Sequence, residues 1–119
     1  MGTHYCSEAF ELITTTDDQV TSQRISDQLV QSRRTPCVKI YPGCLSRYFW
    51  NGSWHEATEY VIVTLALAPD LEQLTAIIKS VHNYTNPEIV ARQLKILSSD
   101  YADWIQATIV ELGVDEHHD

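Results

Sequence analysis

The dipeptide Asn51-Gly52 restricts the fold of this chain more than any other feature, because it lies between two long runs of β-forming residues. Asn-Gly is the preferred sequence of a two-residue type I′ turn, which predicts a β-hairpin and sets its register. The predicted cross-strand pairs are Trp50 with Ser53, Phe49 with Trp54, Tyr48 with His55, and Arg47 with Glu56. The last of these pairs predicts an ion pair between the two strands.

Four aromatic side chains cluster at the tip of this hairpin. They are Tyr48, Phe49, Trp50 and Trp54. In the predicted register they lie on both sides of the two-stranded hairpin, so the helices of the same chain cannot cover all of them. We therefore interpret the tip as an arm that packs against another subunit. The alternative is a stacking platform for single-stranded nucleic acid, which the acidic charge of the chain disfavours.

Periodicity and turn signals place further elements on either side of the hairpin. The predicted strands cover residues 10–16, 37–50, 53–67 and 88–97, and the predicted helices cover 19–34, 69–81 and 99–112. The resulting order, β-α-β-β-α-β-α, predicts an α+β, ferredoxin-like split β-α-β fold. It has a four-stranded antiparallel sheet, a long β2–β3 hairpin, and an additional C-terminal helix. We expect one domain over 1–119, with an ordered core at about 8–113 and a flexible polar tail at 114–119.

The segment 60–65, "YVIVTL", is apolar at nearly every position. A strand that is apolar on both faces is covered on both faces. Two helices cover only one face of the sheet, so the second face needs another cover. Self-association is the simplest source of that cover.

Composition excludes some classes of function. The net charge is −8, from 16 acidic and 8 basic residues, which argues against a nucleic acid partner. No apolar run is long enough to span a bilayer, and the first residues do not resemble a secretory signal. Three cysteines, without a CxxC motif, favour reduced thiols. We therefore expect a cytoplasmic protein with no membrane partner.

Several separate motifs resemble those of the CutA family, the divalent-cation-tolerance proteins. They are "CVKIYPGCLSRYFWNGSWHEATEYVI" (37–62), "HNYTNPEI" (82–89) and "DYADWI" (100–105). The resemblance covers roughly residues 10–110. The chain departs from the family pattern at Leu65-Ala66, where a Lys-Thr pair is common, and at Asn83, where proline is common. It also departs at the end of the first strand, where some members carry a cysteine.

The resemblance implies a ferredoxin-like homotrimer in which the β2–β3 hairpin reaches a neighbouring subunit. It also implies a non-enzymatic role in tolerance or binding of divalent metal ions such as copper or zinc. Tyr48, Phe49, Trp50 and Trp54 would then lie at the trimer interface. A small-molecule-sensing trimer with clefts between subunits, or a structural scaffold trimer, is the alternative function.

The candidate metal ligands are His82, Glu59 and Cys37, because imidazole, carboxylate and thiolate are the groups that bind divalent copper or zinc. Tyr84, Glu88 and Glu56 are the candidates for lining a ligand cleft between subunits. Each candidate also has a structural interpretation: turn chemistry for 82–87, a solvated strand edge for the glutamates, and a small buried side chain for Cys37 and Cys44. The pair His117-His118 in the tail could bind a cation weakly. No motif of a known catalytic class is present.

Overall fold

In a computed structural model of the protein, residues 8–113 are described, and they contain the predicted order of elements. The strands are β1 (Ala9–Thr16), β2 (Val38–Trp50), β3 (Ser53–Leu67) and β4 (Ile89–Gln93). The helices are α1 (Gln19–Gln31), α2 (Leu71–Val81) and α3 (Ser99–Leu112), and a short 3-10 turn at Ala68–Asp70 precedes α2. Within 8–113, none of the helices is both long and apolar enough to cross a membrane. The predicted tail 114–119, with His117-His118, and Cys6 lie outside the described residues.

The four strands form one antiparallel sheet in the order β2-β3-β1-β4. The four cross-strand pairs predicted from Asn51-Gly52 are all confirmed. Arg47 and Glu56 form the predicted ion pair at 2.9 Å. The register of β2 shifts between Tyr41 and Cys44, because Pro42-Gly43 adds one residue to this strand and Gly43 has a positive φ of 77°.

Helices α1 and α2 pack on one face of the sheet, here called the helical face. Leu12 of β1 and Ile62 and Ala66 of β3 point to this face. They are buried against Ile25, Leu29, Leu74 and Ile78 of the two helices. Asp18 begins α1, because its carboxylate accepts a hydrogen bond from the Thr21 backbone N–H at 2.9 Å. Val20 and Val30 of α1 are exposed, and its buried apolar side chains are Ile25 and Leu29.

The opposite face of the sheet, here called the second face, is partly covered by α3. Ile105 is buried against Ala9, Leu65 and Leu67, and Ile109 packs beside it. At this end of the sheet the cover comes from the chain itself, so the expectation that self-association supplies it is wrong there. Ser98 begins α3, because its side-chain oxygen accepts a hydrogen bond from the Tyr101 backbone N–H at 3.2 Å.

Two predicted elements are shorter in the structure. The strand predicted over 88–97 ends at Gln93, because its partner β1 begins at Ala9 and offers no further residues for pairing. Beyond it, Leu94 and Ile96 pack against the α3 core. Helix α1 ends at Gln31 rather than 34, since Arg33 takes a left-handed conformation with φ 61°.

The β2–β3 hairpin extends beyond the rest of the sheet. Pairing of β1 with β3 stops at Thr16 and Tyr60, so residues 44–59 form a two-stranded ribbon without a third strand. This ribbon is about 23 Å long at 3.3 Å per residue. Its tip aromatics are exposed in the single chain: Tyr48 by 44%, Phe49 by 60%, Trp50 by 56% and Trp54 by 70%.

Candidate functional site

The connector 82–88, between α2 and β4, folds over the end of β1 and holds three of the six predicted metal and cleft residues: His82, Tyr84 and Glu88. His82 is partly buried and both of its ring nitrogens are engaged. Nε2 lies 2.9 Å from the Thr15 carbonyl oxygen and 3.2 Å from Thr14 Oγ1. Nδ1 accepts the backbone N–H of Tyr84 at 3.0 Å.

This set of partners selects one protonation state of His82. A carbonyl oxygen next to Nε2 requires a proton there, and a backbone N–H next to Nδ1 requires a lone pair. Burial lowers the pKa of His82 below its ordinary value, although the Thr15 carbonyl and the charges of Asp17 and Glu59 oppose the shift. His82 is therefore neutral at pH 7. To ligate a metal ion it would have to give up one of these hydrogen bonds.

Tyr84 and Glu59 form the second part of the site. The Tyr84 hydroxyl donates to Glu59 Oε2 at 2.7 Å, and its ring lies 5.0 Å from that of His82. Glu59 is 6% exposed, so its carboxylate is held in a largely desolvated position by this donor. Burial raises the pKa of Tyr84 above its ordinary value, and the adjacent carboxylate raises it further. Tyr84 therefore remains a hydrogen-bond donor throughout the physiological pH range.

Threonines of β1 form the third part, which sequence reasoning missed. Thr16 Oγ1 donates to Asn83 Oδ1 at 2.6 Å, and Asn83 Nδ2 donates to Asp17 Oδ1 at 3.1 Å. Thr14 Oγ1 donates to the Glu88 carbonyl at 2.7 Å. The available signal was the run "ITTT", because alternate threonines on a strand share one face and buried hydroxyls need partners.

At Asn83 the resemblance described above predicts a proline, and the structure shows which groups the asparagine side chain bonds. Its side chain both accepts from Thr16 and donates to Asp17, so it fastens the start of the connector to the end of β1. A proline at this position would have no side-chain groups for these bonds.

The glutamates predicted for the ligand cleft lie apart in the described chain. Glu56 is three residues from Glu59 on β3, so the two side chains point to opposite faces, and Glu56 pairs with Arg47 on the ribbon. Glu88 is exposed. Its backbone carbonyl, rather than its side chain, accepts the hydrogen bond from Thr14 Oγ1 of β1. Of the three predicted cleft residues, only Tyr84 contacts Glu59.

The three predicted metal ligands are not assembled within one chain. Glu59 and His82 are both close to Tyr84, but Cys37 bonds through its carbonyl to Leu65, six residues from Glu59 along β3. That spacing corresponds to about 20 Å. Within residues 8–113, no group of three His, Cys, Asp or Glu side chains could hold a metal ion. Cys37 and Cys44 are free thiols.

The arrangement can position a connector and present a buried carboxylate, but on its own it offers too few ligands for a transition metal. A three- or four-ligand site would have to draw on groups from outside this part of one chain.

Comparison with known proteins places this geometry in a family. The family model described as CutA1 divalent ion tolerance protein matches residues 11–108. The divalent-cation tolerance protein CutA of Pectobacterium atrosepticum is 26% identical over 102 residues, which cover 86% of this chain and 93% of that protein.

Solved structures of similar proteins have the same fold. The structure of CutA from Xylella fastidiosa matches with a TM-score of 0.80 and 28% identity, covering 87% of this chain and 99% of that one. The periplasmic divalent cation tolerance protein CutA of Archaeoglobus fulgidus matches with a TM-score of 0.78 and 25% identity, covering 85% and 98%. The family match over residues 11–108 includes most of β1, the ribbon, the connector and most of α3.

Proposed function

Because the chain belongs to the CutA1 divalent ion tolerance family, we propose that it is a non-enzymatic homotrimer that binds a divalent metal ion, copper or zinc. The observation that carries this proposal is the match over residues 11–108, which spans nearly all of the described fold. The family description concerns tolerance of divalent ions. The metal, the assembly and the absence of catalysis are our proposals.

The exposed aromatic ribbon supports self-association. Phe49 and Trp54 pack edge to face at 5.6 Å between ring centroids, on the opposite side of the ribbon from Tyr48 and Trp50. Soluble monomers rarely expose large contiguous apolar patches, and such patches mark interaction surfaces. A neighbouring subunit would bury them, and the unpaired outer edge of β2 gives it a further place to dock.

The second face supports the same proposal. Helix α3 covers only one end of it, and the middle of the sheet, including Ile13 and Val61, is only partly buried. Tyr41 is 52% exposed beside them. Three copies that pack around an axis through the middle of these faces would bury Ile13, Val61 and Tyr41.

Metal binding is supported by the acidic charge and by the buried carboxylate. A net charge of −8 raises the local concentration of cations. The Glu59 carboxylate accepts a hydrogen bond from one neutral donor, the Tyr84 hydroxyl. We propose that His82, Glu59 and Cys37 contribute to metal sites that are completed by groups of a neighbouring subunit. We also propose a cytoplasmic location, although the Archaeoglobus fulgidus relative is periplasmic.

The assembly is tested by size exclusion with light scattering. The expected mass is three times 13.6 kDa. Trp54→Ser should dissociate the assembly at low micromolar concentration, because it removes the most exposed ribbon aromatic. Val30→Ser, which removes an exposed apolar side chain from α1, is the matched control and should leave the mass unchanged. A monomeric wild-type protein would contradict the proposal.

Metal binding is tested by calorimetry with Cu(II) and Zn(II). Saturable binding should be lost in His82→Ala and retained in His55→Ala, a control on the ribbon. Retained circular dichroism of both variants would show that the fold is intact. If deletion of 114–119 removes all binding, the metal site is the tail and the proposed site is wrong. Nucleotide binding without metal binding would favour the sensing trimer, and no ligand at all would favour the scaffold.

A further inference from the structure

A cleft of about 190 Å³ lies on the second face, away from the His82 connector. Its floor is formed by Val63 and Leu65 of β3. Leu94, just after β4, and Tyr101 of α3 close it on one side. The cleft is thus built from the sheet and α3 together, and its floor is aliphatic.

The volume of the cleft limits the size of its ligand. Cavities of about 150 Å³ in proteins bind benzene, and sites for drug-sized molecules begin at about 300 Å³. A cleft of about 190 Å³ lies between these sizes. It therefore suits a compact molecule, larger than benzene and much smaller than a nucleotide.

Two charged side chains line the cleft from the strands on either side of β3. Glu11 of β1 lies opposite Leu65, and its Oε1 accepts from Arg92 Nη2 at 3.0 Å. Lys39 of β2 lies opposite Val63 and makes no ion pair within residues 8–113. Arg92 offsets the charge of Glu11, so the ammonium of Lys39 is the uncompensated charge at the cleft.

We propose that this cleft binds a small carboxylate carried on a branched aliphatic body. The aliphatic part lies on Val63, Leu65 and Leu94, where burial of apolar surface stabilises it. The carboxylate faces the ammonium of Lys39. A metal cation does not fit, because Lys39 repels it. Inorganic phosphate does not fit either, because it has no apolar part to bury on the aliphatic floor of Val63 and Leu65.

This carboxylate could come from a free branched-chain acid or from an amino acid with the same skeleton. Both place a carboxylate on the same aliphatic body and differ only in an α-ammonium group. Cys37 lines this cleft and is also a proposed metal ligand, but neither His82 nor Glu59 lies in it. Binding of the carboxylate relies on Lys39, Val63, Leu65 and Leu94, so its titration is read separately from metal binding.

The test is an NMR titration of the full-length protein with 4-methylpentanoate, following the methyl signals of Val63, Leu65 and Leu94. We expect saturable shifts with a dissociation constant on the order of 1 mM, because so small a ligand has few contacts to contribute. Lys39→Met keeps the aliphatic stem and should weaken binding about fivefold, as loss of an ion pair predicts. Lys79→Met, which removes an exposed lysine from α2, is the control and should have no effect.

Two further probes identify the recognised groups. Leucine distinguishes the two sources, because it adds an α-ammonium to the same skeleton. Tighter binding of leucine would assign the amino acid, and tighter binding of 4-methylpentanoate would assign the free acid. The neutral 4-methylpentanamide should bind about fivefold more weakly than the acid to the wild-type protein and equally well to Lys39→Met. Absence of saturable shifts with both acids, or equal affinity for acid and amide in the wild type, would overturn the proposal.

Discussion

Replacing Tyr84 by phenylalanine would remove one hydroxyl from the candidate site and leave the ring in place. That hydroxyl donates at 2.7 Å to Glu59, whose carboxylate is 6% exposed. No other hydrogen-bond partner of the Glu59 side chain occurs within residues 8–113. The variant Tyr84→Phe therefore leaves a buried carboxylate without a protein donor.

The size of the effect follows from the charge of the acceptor. A hydrogen bond to a charged group contributes about 1.5–3 kcal/mol, and a buried charge left without its partner loses that amount. Because Tyr84 is itself only partly buried, water can reach the vacated position and recover part of the loss. We expect a decrease of about 2 kcal/mol in the free energy of unfolding.

Urea unfolding followed by circular dichroism at pH 7 measures this difference. With an m-value of about 1–2 kcal/mol/M, the midpoint should fall by about 1–2 M. All variants are compared at one protein concentration, because self-association makes apparent stability depend on concentration. Tyr48→Phe is the control, since Tyr48 is exposed on the ribbon and its change should stay within about 0.5 kcal/mol.

A double-mutant cycle tests whether Glu59 is the cause. In a Glu59→Met background there is no carboxylate to satisfy, so Tyr84→Phe should then cost less than about 0.5 kcal/mol. The coupling energy should therefore be close to the full effect in the wild type. A loss below about 0.5 kcal/mol in Tyr84→Phe alone, or a coupling energy near zero, would refute the argument that this bond secures the buried carboxylate.

Three further outcomes follow from the structure. Thr64 is fully buried and its hydroxyl has no partner within residues 8–113, so Thr64→Val should raise the free energy of unfolding by about 1 kcal/mol in the same assay. The hydrogen-bonded Thr14 is its control, and Thr14→Val should lower stability. Ser98→Ala removes the cap of α3 and should cost about 1 kcal/mol, with fraying of the helix visible in amide hydrogen exchange. Burial lowers the pKa of folded His82 below the unfolded value of 6.5, so its contribution to stability is present above that pH and is lost as pH falls. The decrease in unfolding free energy between about pH 7.5 and 5 should be smaller in His82→Gln.

Local chemistry was enough to predict the ribbon and the ends of several elements. Asn51-Gly52 determined the register, because only one pairing follows from a two-residue turn. Pro42-Gly43 accounts for the irregularity in β2, and the left-handed Gly113 ends α3. These features depend on residues that are close together along the chain. The motifs that resemble CutA predicted the family of the chain, and the match of the family model over residues 11–108 confirms it.

The contents of the site depended on the tertiary structure. Thr16 and Asn83 are 67 residues apart in the chain, and only the pairing of β1 with β4 brings the connector over the end of β1. The motifs predicted Cys37 and Glu59 as ligands of the same metal ion. The register of β2 on β3 instead places them far apart along the sheet.

The order of elements was a property of the sequence, because each element is specified by its own residues and caps. Which buried groups meet was decided by packing. Helix α3 could have covered either face by its periodicity alone, and burial of Ile105 against Leu65 and Leu67 selected the second face. Local patterns specify strands, helices and turns through backbone geometry. Contacts between distant residues exist only once the sheet order and the helix positions are set, and both the Tyr84–Glu59 pair and the aliphatic cleft beside Lys39 are of that kind.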